Sequence, residues 1–191
     1  MKLFANISFG KFKGKKLLLP DLSTTRSTKS IVRECVFNSL QNELKNSTFI
    51  ECFGGSALMA ASALSAYAKK AYVIEIDKKA YDIAYKNAKS LDDEAIKVLQ
   101  GDCFLLLPSL LEEKDIILYL DPPFDIRENF KDIYEKIYKF LEKIDTKNVK
   151  GFVLEHYSKH ESPQRLKDFS RKKFKSFGKT SLSFYFKHTS F

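Results

Sequence analysis

Three features of the chain predict an α/β fold, a seven-stranded, mostly parallel sheet with helices on both faces. Strand-like and helix-like segments alternate five times through the centre of the chain, the pattern of a parallel sheet with crossover helices. Two strand-like segments, 169–177 and 180–187, then follow around Gly178-Lys179 and place one antiparallel strand in the sheet. Finally, Glu51, Gly54, Glu75, Asp102 and Asp121 all fall at the C-terminal ends of predicted strands, where such sheets bind ligands. A short N-terminal β-hairpin extension precedes this core. One domain spans 1–191, with 1–28 as hairpin and loop and 29–191 as the core.

The elements follow in order. Leu3–Ser8 and Lys16–Leu19 read as the two strands of the hairpin. Between them, G-K-F-K-G (10–14) sets Phe12 among Lys11, Lys13 and Lys15, so an aromatic ring for base stacking lies beside cations for phosphates. The alternative is an ordinary hairpin tip with Phe12 folded onto the domain. Residues 22–29, rich in Ser and Thr, form a loop with N-cap candidates at Thr28 and Ser30. A helix is predicted over 30–44, with Ile31, Cys35, Val36 and Leu40 or Leu44 inward. Arg26 and Arg33 lie in the loop and the first turn.

A strand at 48–52 runs into Phe53-Gly54-Gly55, and a helix follows from Ser56 to Tyr67. Glycines there admit a ligand close to the backbone, next to the open N–H groups of a helix start. The turn matches neither a dinucleotide fingerprint nor a phosphate-binding loop. The next strand, 71–77, carries Glu75 about twenty residues beyond the glycines, the position of an acid that binds a ribose diol in doubly wound sheets. Asp77 is a cap candidate for the helix 78–90. A strand at 95–100 ends in Gly101-Asp102; Asp102 accepts from an adenine amino group or caps the helix 103–112.

The fourth core strand ends in the most telling stretch. Ile116–Phe124 reads I-I-L-Y-L-D-P-P-F, a buried run that stops at Asp121. Pro122 and Pro123 have fixed φ and no N–H, so the strand cannot continue. A carboxylate at Asp121 and a carbonyl at Pro122 can accept both N–H groups of an exocyclic base amine, while Phe124 stacks on the ring. A bland proline turn has the same composition. A helix over 129–145 carries Ile133, Ile137, Phe140 and Leu141 inward, and 151–157 is the fifth strand. His156, His160 and His188 receive no role.

Composition narrows the function classes. The 191 residues are 44% apolar, with 17 Phe and 9 Tyr, enough for a core of their own. No run of about 18 apolar residues is present, and the N-terminus lacks a sustained apolar leader core, so a cytoplasmic protein is expected. Cys35, Cys52 and Cys103 have no metal-site spacing and read as buried free thiols. The net charge of +9 is concentrated at the chain ends. Residues 1–33 carry eight Lys/Arg against one acid, and 159–191 carry nine against two, while the middle is acidic overall. A phosphate backbone is the natural partner. Neither end forms a clean basic amphipathic helix, so no membrane partner is expected. No apolar surface stripe is evident, and a monomer is expected.

Taken together, R-S-T-K-S-I-V-R-E-C-V-F-N (26–38), E-C-F-G-G-S-A-L (51–58), V-I-E-I-D (73–77), D-P-P-F (121–124) and F-G-K-T-S-L-S-F-Y (177–185) resemble the RsmD-type enzymes. These are S-adenosylmethionine-dependent methyltransferases with a Rossmann-like fold that act on the N2 amine of a guanine in 16S rRNA of the small ribosomal subunit. The resemblance runs over nearly the whole chain in family order. D-P-P-F alone is shared with DNA adenine methyltransferases. The resemblance implies that Asp121, Pro122, Pro123 and Phe124 handle the amine. It also implies that Glu51, Phe53, Gly54 and Gly55 hold the methionine end of the cofactor, Glu75 the ribose and Asp102 the adenine, with Asp121 beside the transferred methyl. The substrate the resemblance implies is 16S rRNA, a small subunit or an assembly intermediate. RNA contacts are expected from Lys11, Phe12, Lys13, Lys15, Arg26, Arg171, Lys172 and Lys173. The usual D-x-F-A-G-S-G appears here with Glu51 for Asp and Ala57 for Gly, and Ser27 replaces a proline. The first two departures bear on cofactor pose and affinity. Two rival readings stand beside this one: a DNA adenine-N6 methyltransferase, and a non-catalytic RNA-binding assembly factor.

Overall fold

The computed structural model describes residues 3–20, 30–92, 94–124 and 132–187. Among them, β1 (Leu3–Asn6) and β2 (Lys16–Leu19) form a separate antiparallel hairpin. The core alternates α1 (Ser30–Leu44), β3 (Thr48–Glu51), α2 (Leu58–Ser65), β4 (Lys70–Glu75), α3 (Lys78–Lys89), β5 (Ile96–Gln100), α4 (Cys103–Leu106), β6 (Ile116–Leu120), α5 (Ile133–Lys143) and β7 (Val149–Tyr157). It closes with β8 (Arg165–Leu166), β9 (Phe169–Phe177) and β10 (Thr180–Lys187).

The main sheet has the order β5-β4-β3-β6-β7-β10-β9-β8. Its first five strands are parallel, and β10, β9 and β8 follow with successive antiparallel pairings. From β3 the chain builds outward to β4 and β5, then returns to β6 on the other side of β3. The strand order therefore reverses between β3 and β6, and ligand crevices open at the C-terminal end of such a switch point.

Among the described residues the main sheet has eight strands where seven are predicted. The extra strand is two-residue β8, too short to show a side-chain period. The helix predicted over 103–112 is also divided. Pro108 has no N–H for a continuing α-helix, and Leu107–Leu110 is a 3-10 turn instead.

Two apolar layers sandwich the sheet. Val32, Val36, Leu40, Met59, Ala60 and Ala84 of α1–α3 cover one face over Phe49, Val73, Ile117 and Tyr119. Ile137 and Leu141 of α5 cover the other over Ile74, Leu118, Leu120 and Phe152. Central β6 is buried at every residue, as its unbroken apolar run requires.

The inward face of α1 is Val32, Val36, Leu40 and Leu44, spaced every four residues. Ile31, expected inside, is 57% exposed, and Cys35 is half-buried. Val36, Leu40 and Leu44 are inside as expected, and Val32 takes the place expected of Ile31. Cys52 and Cys103 are buried and free. Among the described residues no helix is long and apolar enough to cross a membrane.

The hairpin packs along α2 and α3. Ile7 and Leu17 are buried against Leu58 and Ala61. Its tip is tied to the C-terminus of α2: Lys11 N–H donates to the Ser65 carbonyl at 2.9 Å, and Phe12 N–H to Ser65 Oγ at 2.9 Å. Near the other end of the hairpin, Asn87 Nδ2 of α3 donates to the carbonyls of Leu18 and Ser56, each at 2.8 Å. Arg33 Nη2 donates to the Asn6 carbonyl at 3.0 Å, joining α1 to the hairpin.

Candidate active site

The site is assembled at the ends of β3, β4, β5 and β6. Beyond Glu51, Cys52 N–H still donates to the Tyr119 carbonyl of β6 at 2.9 Å, and the chain then leaves the sheet through Phe53-Gly54-Gly55. Gly54 N–H donates to the Ile74 carbonyl at 2.8 Å. This approach leaves no room for a side chain, because a Cβ at Gly54 would lie 2.2 Å from Val73 Cγ1. At Gly55 the requirement is conformational instead. Its φ is +52°, and a Cβ there would meet nothing within 4 Å. The outer side of the turn thus faces open space.

A pair of variants separates the two demands. Gly54→Ala is expected to destabilise the fold by about 1–3 kcal/mol through overpacking against Val73. Gly55→Ala is expected to cost about 1–2 kcal/mol of backbone strain without a clash. Urea unfolding of Gly54→Ala, alone and with Val73→Ala, checks the first assignment: the second substitution should recover most of the loss.

The Glu75 carboxylate is clamped by backbone amides. Gly55 N–H donates to Oε2 at 2.6 Å and Asp77 N–H to Oε1 at 2.7 Å. Burial raises the Glu75 pKa, and these amide bonds oppose the shift. The Ile76 amide also bears on the carboxylate; it is thus oriented, with lone-pair capacity left to accept from a diol. Asp77 caps α3 through Ala80 N–H at 2.8 Å. Asp102 caps α4, accepting from Phe104 N–H at 2.8 Å, while Gly101 N–H donates to the Glu75 carbonyl at 3.0 Å. The ends of β4 and β5 are thereby locked together.

Glu51 takes a different place from its neighbours. Its side chain is only 4% exposed, and Oε2 accepts from Ala60 N–H of α2 at 2.9 Å. Burial pushes its carboxyl up to about 8, the Glu75 charge adds to the rise, and the Ala60 and Met59 amides oppose it. Glu51 therefore braces the start of α2 beneath the glycine turn. Ala57, where the resemblance implies glycine, has φ 62°, the left-handed conformation that favours glycine. The substitution keeps the turn at about 1 kcal/mol of strain or more.

At the end of β6, Asp121 and Pro123 are half-buried, and Pro122 and Phe124 are buried. The Asp121 charge is felt inside the domain. Burial first, then Glu155 and Asp121, push the Tyr119 phenol well up, and Tyr119 donates to Glu155 Oε2 at 2.5 Å. The Phe124 ring packs on Tyr157 of β7, with centroids 5.7 Å apart and planes at 45°. Phe53 meets Phe104 edge-on at 6.3 Å, and Lys136 Nζ lies 3.9 Å from the Phe104 centroid.

The candidate RNA-binding residues divide. Arg26 lies outside the described residues. The tip carrying Lys11, Phe12, Lys13 and Lys15 sits at Ser65, the end of α2 away from the glycine turn. Phe12 packs there against the core, so the folded-tip alternative describes its ring. Lys11 faces Asp92 at 3.6 Å, while Lys13 and Lys15 are exposed. In β9, Arg171 is held by Ser162 and Gln164, Lys173 donates to Ser39 Oγ at 2.7 Å, and Lys172 is exposed.

Several neighbours of the site escaped the sequence reading. Ile76, directly after Glu75, is apolar and 68% exposed at a strand end. An apolar residue directly following a strand-end acid is a signal that could have marked it. His156 is fully buried and bonded to Ser183 Oγ at 2.9 Å, and burial holds its imidazole down to about 4. It is a neutral structural residue. His160 stacks on Tyr134 at 4.0 Å.

A model of the family described as conserved hypothetical protein 95 matches residues 5–186. The chain belongs to that family. The resemblance to RsmD-type enzymes is borne out by its curated relatives. In Buchnera aphidicola (subsp. Acyrthosiphon pisum), "Ribosomal RNA small subunit methyltransferase D" is 30% identical over 115 residues, 60% of each chain. The chain thus spans about 60% of the length of the curated relatives it matches. Among solved structures, a putative methyltransferase, yhhF, from Escherichia coli is 25% identical with a TM-score of 0.76, covering 98% of this chain and 100% of that one. An RNA methyltransferase from Salinibacter ruber, solved with S-adenosyl-L-homocysteine, shares the fold at 13% identity and a TM-score of 0.58, covering 86% of this chain and 96% of that one. For this member of the conserved hypothetical protein 95 family, the α/β expectation is met, with the strand-count difference described above.

Proposed function

We propose that this chain transfers the methyl group of S-adenosylmethionine to the exocyclic N2 amine of a guanine in small-subunit rRNA. One observation carries the reading: the glycine turn with its clamped Glu75 and the Asp121-Pro122-Pro123-Phe124 corner flank the switch point between β3 and β6. The names of the curated relatives support the choice of substrate.

The cofactor supplies an electrophilic methyl carbon on a sulfonium. Glu75 would accept from the ribose hydroxyls, Asp102 from the adenine amine, and Phe53, Gly54 and Gly55 would line the methionine end. Glu51 acts there through the turn it braces. The Asp121 carboxylate and the Pro122 carbonyl would accept the two N–H groups of guanine N2. That aims the nitrogen lone pair at the methyl carbon. As the N–C bond forms and the C–S bond breaks, these oxygens face the positive charge growing on nitrogen. The extra N2 proton then leaves past Asp121 to water. Phe124 would stack on the guanine, with Pro123 holding the corner rigid. Splaying the guanine out of its stack costs a few kcal/mol, offset by phosphate contacts. Lys172 and Lys173, midway along β9, and Lys11, Lys13 and Lys15 at the hairpin tip would supply those to parts of a large RNA beyond the target.

The test offers methyl-labelled S-adenosylmethionine with three acceptors: small subunits lacking their modifications, protein-free small-subunit rRNA, and duplex DNA. Label in a ribosomal sample is the expected result. Label in DNA alone would replace the substrate. No label and no cofactor binding at millimolar ligand would leave an RNA-binding factor.

A further inference from the structure

Beside the Asp121–Phe124 corner, the sheet ends in aromatic and basic residues that, apart from Phe124, the reaction does not use. The register sets Tyr157 of β7 opposite Thr180 of β10, and Thr180 opposite Phe177 of β9. Phe124, Tyr157 and Phe177 therefore share one end of the sheet, and Tyr157 and Phe177 are only half-buried. Tyr157 is well fixed: its N–H donates to Tyr134 Oη at 2.8 Å, and its carbonyl accepts from His160 N–H at 2.9 Å. The β9–β10 turn is fastened to the same place, because Ser158 N–H donates to the Lys179 carbonyl at 3.0 Å.

Lys159, Lys175 and Lys179 lie beside these aromatic residues. All three are exposed, and none is in an ion pair among the described residues. Among the described residues, β9 has no strand on its outer side beyond Ser170, because β8 pairs only with Phe169 and Ser170. An aromatic surface with exposed ammonium groups beside it suits a single polynucleotide strand, whose bases stack while its phosphates meet the lysines.

We propose that the end of β7 and the β9–β10 turn form the entry platform for the acceptor RNA strand. Tyr157 stacks on the nucleotide next to the target, and Lys159, Lys175 and Lys179 contact its phosphates. The target itself rests on the methyl-transfer reading; the RNA contact does not.

The test is equilibrium binding of protein-free small-subunit rRNA at several salt concentrations, with no cofactor present. Two triple variants with equal charge loss are compared: K159A/K175A/K179A, and K45A/K79A/K86A, exposed lysines just after α1 and in α3. Three lost phosphate contacts should reduce the slope of log affinity against log salt by about 2 in the first variant and leave the second near wild type. Tyr157→Ala should weaken binding about tenfold, while Tyr157→Phe, which keeps the ring, should not. Equal behaviour of the two triples, or of the two Tyr157 variants, overturns the platform. If wild-type protein labels guanine and the triples bind alike, the platform alone fails. If the first triple loses binding and wild-type protein transfers no methyl, the platform stands and the reaction falls.

Discussion

Asp121→Ala is expected to lower the rate of methyl transfer by about 10²–10³-fold while leaving the affinity for S-adenosylmethionine within about twofold. The buried strand β6 fixes the Cα of Asp121, and two prolines prevent the corner from relaxing. A carboxylate so placed interacts best with an amine nitrogen that is becoming cationic, so its loss should fall on kcat more than on substrate binding. Asp121→Asn is a sharper probe. It preserves shape and one acceptor but turns an N–H toward an N–H, and it should be nearly as impaired as alanine. Single-turnover rates with saturating cofactor, together with a cofactor titration, make the comparison. A loss of cofactor binding equal to the loss of rate would instead place Asp121 in the cofactor pocket.

Glu51→Gln is expected to stabilise the protein increasingly as pH rises. An unfolded glutamate loses its proton near its ordinary value of 4.5, while burial holds the folded Glu51 carboxyl to about 8. Between those values the native state binds more protons than the unfolded state, so stability falls as pH rises through that window. The penalty reaches on the order of a few kcal/mol above pH 8, at about 1.4 kcal/mol per unit. Glutamine does not titrate and keeps an oxygen for Ala60 N–H. The difference in unfolding free energy between variant and wild type should be small at pH 5 and grow to a few kcal/mol by pH 8.5. Parallel stability curves from pH 5 to 9 would show that Glu51 ionises normally in the folded protein.

Much of this site is legible before any coordinates. Asp121 stands out because an apolar run and two prolines bracket it, and both effects are local. Glu75 follows from its spacing after Gly54-Gly55, since one crossover helix separates consecutive parallel strands. Contacts made across long stretches of chain are not legible in this way. Phe12 looks like an exposed stacking ring until Ser65, 53 residues later, is seen to hold its N–H. Glu51 looks like its fellow strand-end acids, yet its side chain turns under α2 instead of toward the crevice. Tyr157 acquires meaning only when β7 pairs with β6 and Phe124 packs on its ring. Along α1 the expected Val36, Leu40 and Leu44 are inside, but Val32 and not Ile31 is buried with them, because the two are equally apolar and only packing distinguishes them.

The most direct measurement is the identity of the methylated nucleoside. Small-subunit rRNA labelled by the purified protein would be digested and its products separated against standards. The account predicts N2-methylguanosine as the labelled product, absent from a parallel reaction with Asp121→Ala. Label in N6-methyladenosine, or in a pyrimidine, would contradict it, because the Asp121–Phe124 corner would then be presenting a different base.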